Sequence, residues 1–169
     1  MGNYIYKFKI ETKQQVIILM PMITFWILIV IIRIYFSKYP LLSIGFIIIF
    51  PIIFLIDSLP AIIMHIQYLL KNRKSVLILN TESKELIFES QGKEKLAYSF
   101  NDIISLDYYR SYGKGSGWHA FGQYRYYKIT FIDKKEIIIT CLMINDIENT
   151  IEMLLRMGAT KHVRLVCFL

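Results

Sequence analysis

The chain has 169 residues, of which 55% are hydrophobic and 20% are charged, and its formal net charge is +7. A soluble domain is about 45–50% apolar and about one quarter charged, so both departures point toward a membrane. This composition excludes a fully soluble enzyme, a disordered chain and a collagen-like repeat, and two cysteines are too few for a disulfide scaffold.

Two long apolar runs occupy the first half of the chain. Residues 16–36 carry one charge, Arg33, and as a helix they span about 31 Å, close to a ~30 Å hydrocarbon core. A turn at 37–40 leads to a second run over about 41–58, whose helix is predicted to continue to about 74. The pattern therefore predicts a transmembrane helical hairpin over 16–74, preceded by an N-terminal flank at 1–15.

Basic residues concentrate at the outer ends of this hairpin. The six flanking positions are Lys7, Lys9, Lys13, Lys71, Arg73 and Lys74, whereas the turn between the helices carries only Lys38. Because Lys and Arg accumulate on the cytoplasmic side of membrane helices, both termini are expected in the cytoplasm of a multi-pass protein of the bacterial inner membrane. Two unpaired thiols fit that reducing compartment.

Asp57 is the one acidic residue inside the apolar sequence, which makes it a polar membrane candidate by default. It follows Leu41 by 16 residues, about 24 Å of helix, and is expected near the cytoplasmic headgroups. That depth favours a helix exit over an ion or proton site.

From residue 75 onward the apolar periodicity changes from helical to strand-like. Strands are predicted over 76–79, 85–89, 95–100, 103–110, 124–132, 136–143 and 162–169. One amphipathic helix interrupts them, with Asn145 and Glu148 as its capping box and Gly158 as its C-terminal stop. The expected architecture is α+β: the membrane hairpin, then a cytosolic domain over 75–169 formed by a small antiparallel barrel or bent sheet, one helix and a final short strand.

Two stretches carry a family resemblance. KLAYSFNDIISLDYYR, residues 95–110, resembles the part of bacterial pleckstrin-homology-like (PH-like) domains in which a strand ends at an aromatic residue and an Asp-Ile pair opens the next strand. YKITFIDKKEIIITCLMINDIENTIEMLLRMG resembles their closing hairpin and C-terminal helix. The resemblance implies a PH-like binding domain following a two-helix membrane hairpin, although such domains usually end with the helix. The layout also resembles that of two-helix β-barrel membrane effectors of antiphage defence.

The glycine-rich segment 111–123, SYGKGSGWHAFGQ, and its flanks hold the candidate contact residues. They are Tyr109, Arg110, Tyr112, Lys114, Trp118, His119, Phe121 and Arg125. Aromatic side chains interleaved with cations suit a protein partner, a lipid headgroup or an anionic ligand, but they also suit the wet face of an antiparallel sheet. A nucleotide-binding P-loop needs a following helix, and here a strand follows.

No catalytic, metal or cofactor site is expected, because the three histidines share no ligand spacing and no nucleophile lies in a recognisable setting. The expected function is a non-catalytic, membrane-anchored binding or regulatory module that recognises a protein partner or a lipid headgroup. Membrane lipids and either a protein partner or a second copy are expected as partners, and nucleic acid is not. The alternative is a defence or competition protein, either a toxin-immunity factor or a nucleotide-triggered effector that oligomerises through the hairpin.

Overall fold

A computed structural model of the chain describes residues 4–36, 38, 45, 49, 52–92, 94–112, 120–144 and 146–169. The side chains of Pro21, Phe36, Asp57 and Ala120 lie outside this description. Lys114, Trp118 and His119, three of the expected contact residues, also lie outside it, as do Asn145 and most of the predicted turn between the apolar runs.

The first strand lies in the segment expected to be a simple flank. Strand β1 (Ile5–Lys9) pairs antiparallel with β2 (Ser75–Asn80), in a register that runs from Ile5 opposite Asn80 to Lys9 opposite Val76. Aromatic residues alternate with Ile5, Lys7 and Lys9 along β1, so Tyr6 and Phe8 pack against the core while the two lysines are exposed. The helical residues are therefore an insertion between two neighbouring strands of one sheet.

The insertion begins with helix α1 (Thr12–Phe36), which bends by 43° between Thr12–Met20 and Met22–Tyr35. Pro21 lies at that bend, and a proline has no backbone N–H to donate to the preceding turn of a helix. The returning chain has a π-helical turn at Phe54–Ser58, which contains Asp57, and continues as helix α2 (Leu59–Asn72). The Trp26 indole N–H donates to Ser58 Oγ at 2.8 Å, which holds the outgoing and returning helices side by side.

The first sheet has the order β1-β2-β3-β4, with β3 at Glu85–Ser90 and β4 at Leu96–Ser99. A short 3₁₀ turn, Phe100–Asp102, then leads directly into strand β5 (Ile103–Ser111). Ser99 Oγ accepts from the Asn101 N–H, and the Asp102 carboxylate accepts from the Ser99 N–H at 2.9 Å. This reciprocal cap explains the aromatic-then-Asp-Ile pattern that the sequence shows at this point.

The second sheet has the order β7-β6-β5-β8. Its strands are β5 (Ile103–Ser111), β6 (Arg125–Phe131), β7 (Glu136–Thr140) and β8 (Thr160–Arg164). The three antiparallel strands agree with the sequence pattern, and a 3₁₀ turn at Ala120–Gln123 precedes β6. The final strand is shorter than expected and runs parallel to β5.

Helix α3 (Ile147–Leu155) begins at Asp146, which makes no side-chain cap hydrogen bond. The predicted capping box of Asn145 and Glu148 stays a prediction, because Asn145 lies outside the described residues; the Glu148 carboxylate accepts from Tyr108 and Lys161. The predicted stop at Gly158 is wrong: Arg156 ends the helix in the left-handed conformation at φ +53°. The helix is amphipathic as expected, with Ile147, Ile151, Leu154 and Leu155 forming its buried stripe.

The core lies between the two sheets and under α3. Leu77, Leu79 and Leu86 contribute from the first sheet, and Ile129 and Ile139 contribute from the second, all with less than 2% of their surface exposed. The mixed α and β composition and the antiparallel strands confirm the expected fold class in this part of the chain.

Candidate functional site

The expected contact residues are divided between the two faces of the second sheet. Successive side chains on a strand point to opposite faces, so Tyr109 lies on one face while Arg110 lies on the other. Cross-strand register places Tyr126 beside Tyr109 and Arg125 beside Arg110. The structure therefore separates residues that the sequence had grouped in one cluster.

Tyr109 stands at the centre of an aromatic and cationic column across β6, β5 and β8. Its ring stacks on Tyr126 at 4.8 Å and on His162 at 4.6 Å between centroids, with interplanar angles of 16° and 15°. The Arg164 guanidinium carbon lies 4.4 Å from the same centroid, a cation–π distance. Because its own neighbours cover the ring of Tyr109, a nucleotide base could stack there only by displacing them.

A carboxylate holds the histidine of this column in place. His162 Nε2 and Asp107 Oδ1 are 3.0 Å apart, and the Ser105 hydroxyl donates to the same carboxylate at 3.1 Å. The imidazole is 39% exposed, so a protonated ring would form a partly solvated ion pair. Neither His162 nor Asp107 was among the expected contact residues, since their pairing depends on the parallel β8, which the sequence pattern does not reveal.

The other face holds Arg110 and Arg125 directly opposite each other, beside buried tyrosines under α3. Burial raises the pKa of the Tyr108 hydroxyl to about 12, and the Arg125 and Arg110 charges partly oppose that shift. Tyr108 donates to the Glu148 carboxylate at 3.3 Å, and Tyr127 donates to Glu152 at 3.0 Å. Buried hydroxyls with acidic acceptors tie α3 to the sheet, so this face has a structural role.

Phe121, expected to be exposed, is buried with 7% of its surface accessible. It lies in the 3₁₀ turn Ala120–Gln123, which packs close to α1, the π-helical turn and α2. The expectation of an exposed contact residue is wrong here, because the turn folds Phe121 under the inserted helices. Tyr112, at the other end of the glycine-rich segment, is 67% exposed and its N–H donates to the Arg164 carbonyl at 2.7 Å.

Helix α2 joins the insertion to the β domain through one buried stripe: Ala61, Met64, Tyr68 and Asn72. The Tyr68 hydroxyl donates to the Cys167 carbonyl at 2.8 Å, and its ring lies edge-on to Tyr124 at 5.5 Å. Asn72 donates to the Ile138 carbonyl at 2.9 Å and accepts from the Thr140 N–H at 3.2 Å. These contacts make the lower half of α2 part of the core of the β domain.

The same junction gathers the basic residues that flank the insertion. Because β1 and β2 are neighbours, Lys9 and the basic residues that end α2 lie at one end of the first sheet, while Lys7 lies at the middle of β1. All six are exposed: Lys7, Lys9, Lys13, Lys71, Arg73 and Lys74. This set of residues is called the basic collar below.

Among the described residues, Phe54–Asn72 forms one helix long and apolar enough to cross a membrane. The bent pair Thr12–Met20 and Met22–Tyr35 would make a second if it counts as a single span. Length and composition alone do not distinguish such helices from the core helices of soluble proteins or from signal sequences.

The described part of the chain contains no group of three His, Cys, Asp or Glu side chains placed to hold a metal ion. Both cysteines are free and buried. Burial raises the pKa of the Cys141 thiol to about 11 and also raises the pKa of Cys167. Neither thiol is therefore a ready nucleophile at neutral pH.

Comparison with known proteins yields one finding. A family model described as a PH domain matches residues 5–150, while no curated protein and no solved structure matches the chain. The match starts where β1 starts and reaches into α3, so it includes the first sheet, the strands β5, β6 and β7 of the second sheet, and the helical insertion, while β8 lies beyond it. PH domains are generally non-catalytic modules that bind lipid headgroups or proteins. Since the matched residues make up most of the 169-residue chain, the chain belongs to the PH domain family.

Proposed function

We propose that this protein is a membrane-anchored, non-catalytic PH module whose helical insertion crosses the bacterial inner membrane and returns. The β domain then lies in the cytoplasm, where it binds a protein segment or a lipid headgroup. The observation that carries the proposal is the place of the insertion between β1 and β2.

Hydrogen-bonded neighbours in one sheet must lie on the same side of a bilayer. Lys9 and Val76 are paired residues of β1 and β2, so the chain between them crosses the membrane an even number of times or not at all. Two apolar helical arms satisfy this condition with one outward and one returning pass. The condition comes from strand pairing and is independent of the charge argument for orientation.

The inserted helices favour two crossings over none. Helix α1 has no charged side chain from Val16 to Ile32, and beyond the bend it exposes Ile27, Val30, Ile31 and Ile34 by more than half of their surface. A helix that is hydrophobic on every side needs a buried or lipid environment. The basic collar at the base of the arms would lie against anionic headgroups, each charge contributing ~1 kcal/mol near the surface.

The length of the inserted helices limits how the proposed hairpin can cross a bilayer. Ile18 is buried with the core of the β domain and Met22 packs against it, so the part of α1 free to enter lipid begins no earlier than Met22. Met22–Tyr35 is about 21 Å of helix at 1.5 Å per residue, shorter than a ~30 Å hydrocarbon core. A spanning hairpin therefore requires local thinning of the bilayer or a β domain that sits within the headgroup layer.

Thiol labelling tests the crossing directly, because both native cysteines are buried and leave a low background. Lys38→Cys places a thiol between the arms, and the matched control Lys134→Cys places one in the exposed β6–β7 turn. In intact bacterial spheroplasts, a membrane-impermeant maleimide should label Lys38→Cys and should label Lys134→Cys only after lysis.

Two other outcomes would contradict the proposal. If both variants need lysis for labelling while the protein resists carbonate extraction, the hairpin is re-entrant and does not cross. If carbonate releases the wild-type protein from membranes, the insertion is not an integral anchor at all.

A further inference from the structure

A groove of about 650 Å³ lies at the end of the first sheet away from Lys9 and the end of α2. Tyr4 and Tyr6 form one wall, and Met153 and Met157, at the end of α3 and beyond it, form the other. Lys84 and Arg156 stand at its polar margin together with Glu82. The tyrosine column does not take part in it, and neither do the described residues of the glycine-rich segment.

The groove runs beside a free sheet edge. Strand β1 is the edge of the first sheet and has β2 as its one partner strand within the described residues. The Tyr4 carbonyl accepts from the Thr81 N–H and hydroxyl on the β2 side. Successive residues of an antiparallel strand direct their backbone N–H and C=O groups to opposite sides of the strand. Because those of Tyr4 face β2, those of Ile5 and Lys7 face away from β2, toward the position where a strand could be added.

The lining chemistry indicates what kind of chain could be added. Met153 is 65% exposed, and methionine side chains adapt to varied apolar partners. In the described part of the chain, neither Lys84 nor Arg156 forms an ion pair with a carboxylate. Both adopt positive φ, at +52° and +53°, an uncommon conformation for residues with a side chain.

The position of the groove separates it from the bilayer. Tyr4 and Ile10 are six residue steps apart along β1 and its end, about 20 Å at ~3.4 Å per residue. On the proposed topology, which this step assumes, the groove faces the cytoplasm at the end of the sheet away from the headgroups. A soluble segment can reach it more readily than a lipid of the same membrane.

We propose that this groove binds an extended protein segment that adds as a strand to the edge of β1. Its apolar side chains would occupy the space between Tyr6 and the two methionines, and an acidic side chain would pair with Lys84 and Arg156. Main-chain hydrogen bonds to β1 would supply affinity, and the pockets for alternate side chains would supply specificity. The proposal assigns the partner of the PH module to the class of acidic, apolar peptide segments.

Selection of a random decapeptide library against the full-length protein in lipid nanodiscs tests this assignment. Enriched peptides, once synthesised, are expected to combine alternating apolar residues with at least one Asp or Glu. Their affinity should fall at least tenfold with Lys84→Glu. The control Lys134→Glu makes the same charge change at an exposed lysine of similar φ, +63°, outside the groove, and should leave affinity unchanged.

A backbone variant tests strand addition separately from charge. Ile5→Pro removes one outward N–H and leaves the β2 side of β1 intact, as proline can do on an edge strand. It should weaken the same peptides at least fivefold, while circular dichroism and thermal unfolding confirm that the fold is retained.

Several outcomes would overturn the proposal. These are enriched peptides that bind the Lys84→Glu and Lys134→Glu variants equally, no enrichment above the empty nanodisc, or a groove that binds adenine nucleotides instead of peptides. Failure of the membrane topology would appear separately, in the labelling of Lys38→Cys, and would leave peptide binding to the groove unaffected.

Discussion

Asn72 connects the inserted helices to the β domain, and its replacement gives a quantitative test of that connection. Its amide is fully buried and bonds two outward-facing groups of the edge strand β7, the Ile138 carbonyl and the Thr140 N–H. Asn72→Leu keeps the branching and the number of heavy atoms of the side chain but leaves both groups without this partner. A buried unsatisfied polar group costs about 1–3 kcal/mol, and water can partly satisfy the Ile138 carbonyl because that bond is only partly buried.

The expected loss of unfolding free energy is therefore about 2–4 kcal/mol. For a chain of this size, ~1 kcal/mol corresponds to roughly 2–4 °C, so the melting temperature of the full-length protein in detergent should fall by roughly 5–15 °C. Amide hydrogen exchange at Thr140 should also accelerate. Asn149→Leu, which removes an exposed helical asparagine bonded to Asp146, is the matched control and should change stability by no more than ~0.5 kcal/mol.

Asn72→Asp adds a pH dependence with a definite sign. Burial raises the pKa of such a carboxyl above its unfolded value of about 3.9, so the folded state binds more protons than the unfolded state. Stability of this variant should then decrease as pH rises above about 4, and it should approach the wild-type value at lower pH, where the neutral acid can donate to the Ile138 carbonyl. If Asn72→Leu melts with the control, or Asn72→Asp shows no such trend, Asn72 does not hold α2 on the sheet.

Three further predictions concern the β domain. The Tyr98 hydroxyl donates to the Asp133 carboxylate at 2.6 Å, and this hydrogen bond lowers the pKa of the carboxyl. Tyr98→Phe should therefore destabilise the protein above about pH 4. The difference in unfolding free energy from wild type, measured by denaturant titration, should disappear as the pH falls through the lowered pKa. Cys141 and Cys167 should not react with a thiol reagent in the native protein at pH 7 and should both react after unfolding, because both are buried and their pKa values are raised. Phe121→Ala should cost ~3–5 kcal/mol in thermal unfolding, since the side chain is in the core; a change below ~1 kcal/mol would restore the exposed interpretation.

The sequence was sufficient to predict those strands and helices whose structure follows from the local spacing of apolar residues. The alternation over β5, β6 and β7 and the stripe of α3 appear in the sequence as they appear in the fold. Strand β1 was missed although Tyr4, Tyr6 and Phe8 alternate there, because its lysines matched the flank of a membrane helix and its partner strand begins 66 positions after β1 ends (75 − 9). Pairings at that separation leave no local signal.

The candidate site was less predictable than the fold, for a geometric reason. Once β5 and β6 are taken as paired strands, the alternation of side chains between the two faces of the sheet already places Tyr109 on the face opposite to Arg110 and Arg125. The partners of Tyr109 on β8 depend on a parallel pairing, and parallel neighbours are set by the path of the chain around α3. The groove between β1 and α3 depends on both of these long-range placements, so no single stretch of sequence contains it.

The insertion also determines which fragments can fold. A fragment limited to residues 75–169 lacks β1, so β2 becomes an exposed edge, and it lacks the α2 stripe that covers Tyr124 and Tyr126. Burying side chains the size of Met64 and Tyr68 contributes about 1.5–3 kcal/mol each, so losing both removes about 3–6 kcal/mol, which is comparable to the lower end of the ~5–15 kcal/mol stability of a small domain. This fragment should therefore show poorly dispersed amide resonances and no cooperative melting, whereas the full-length protein in nanodiscs should melt cooperatively. A well-folded fragment would mean that the helices are an appendage of the PH domain, and the buried stripe of α2 argues that they are part of its core.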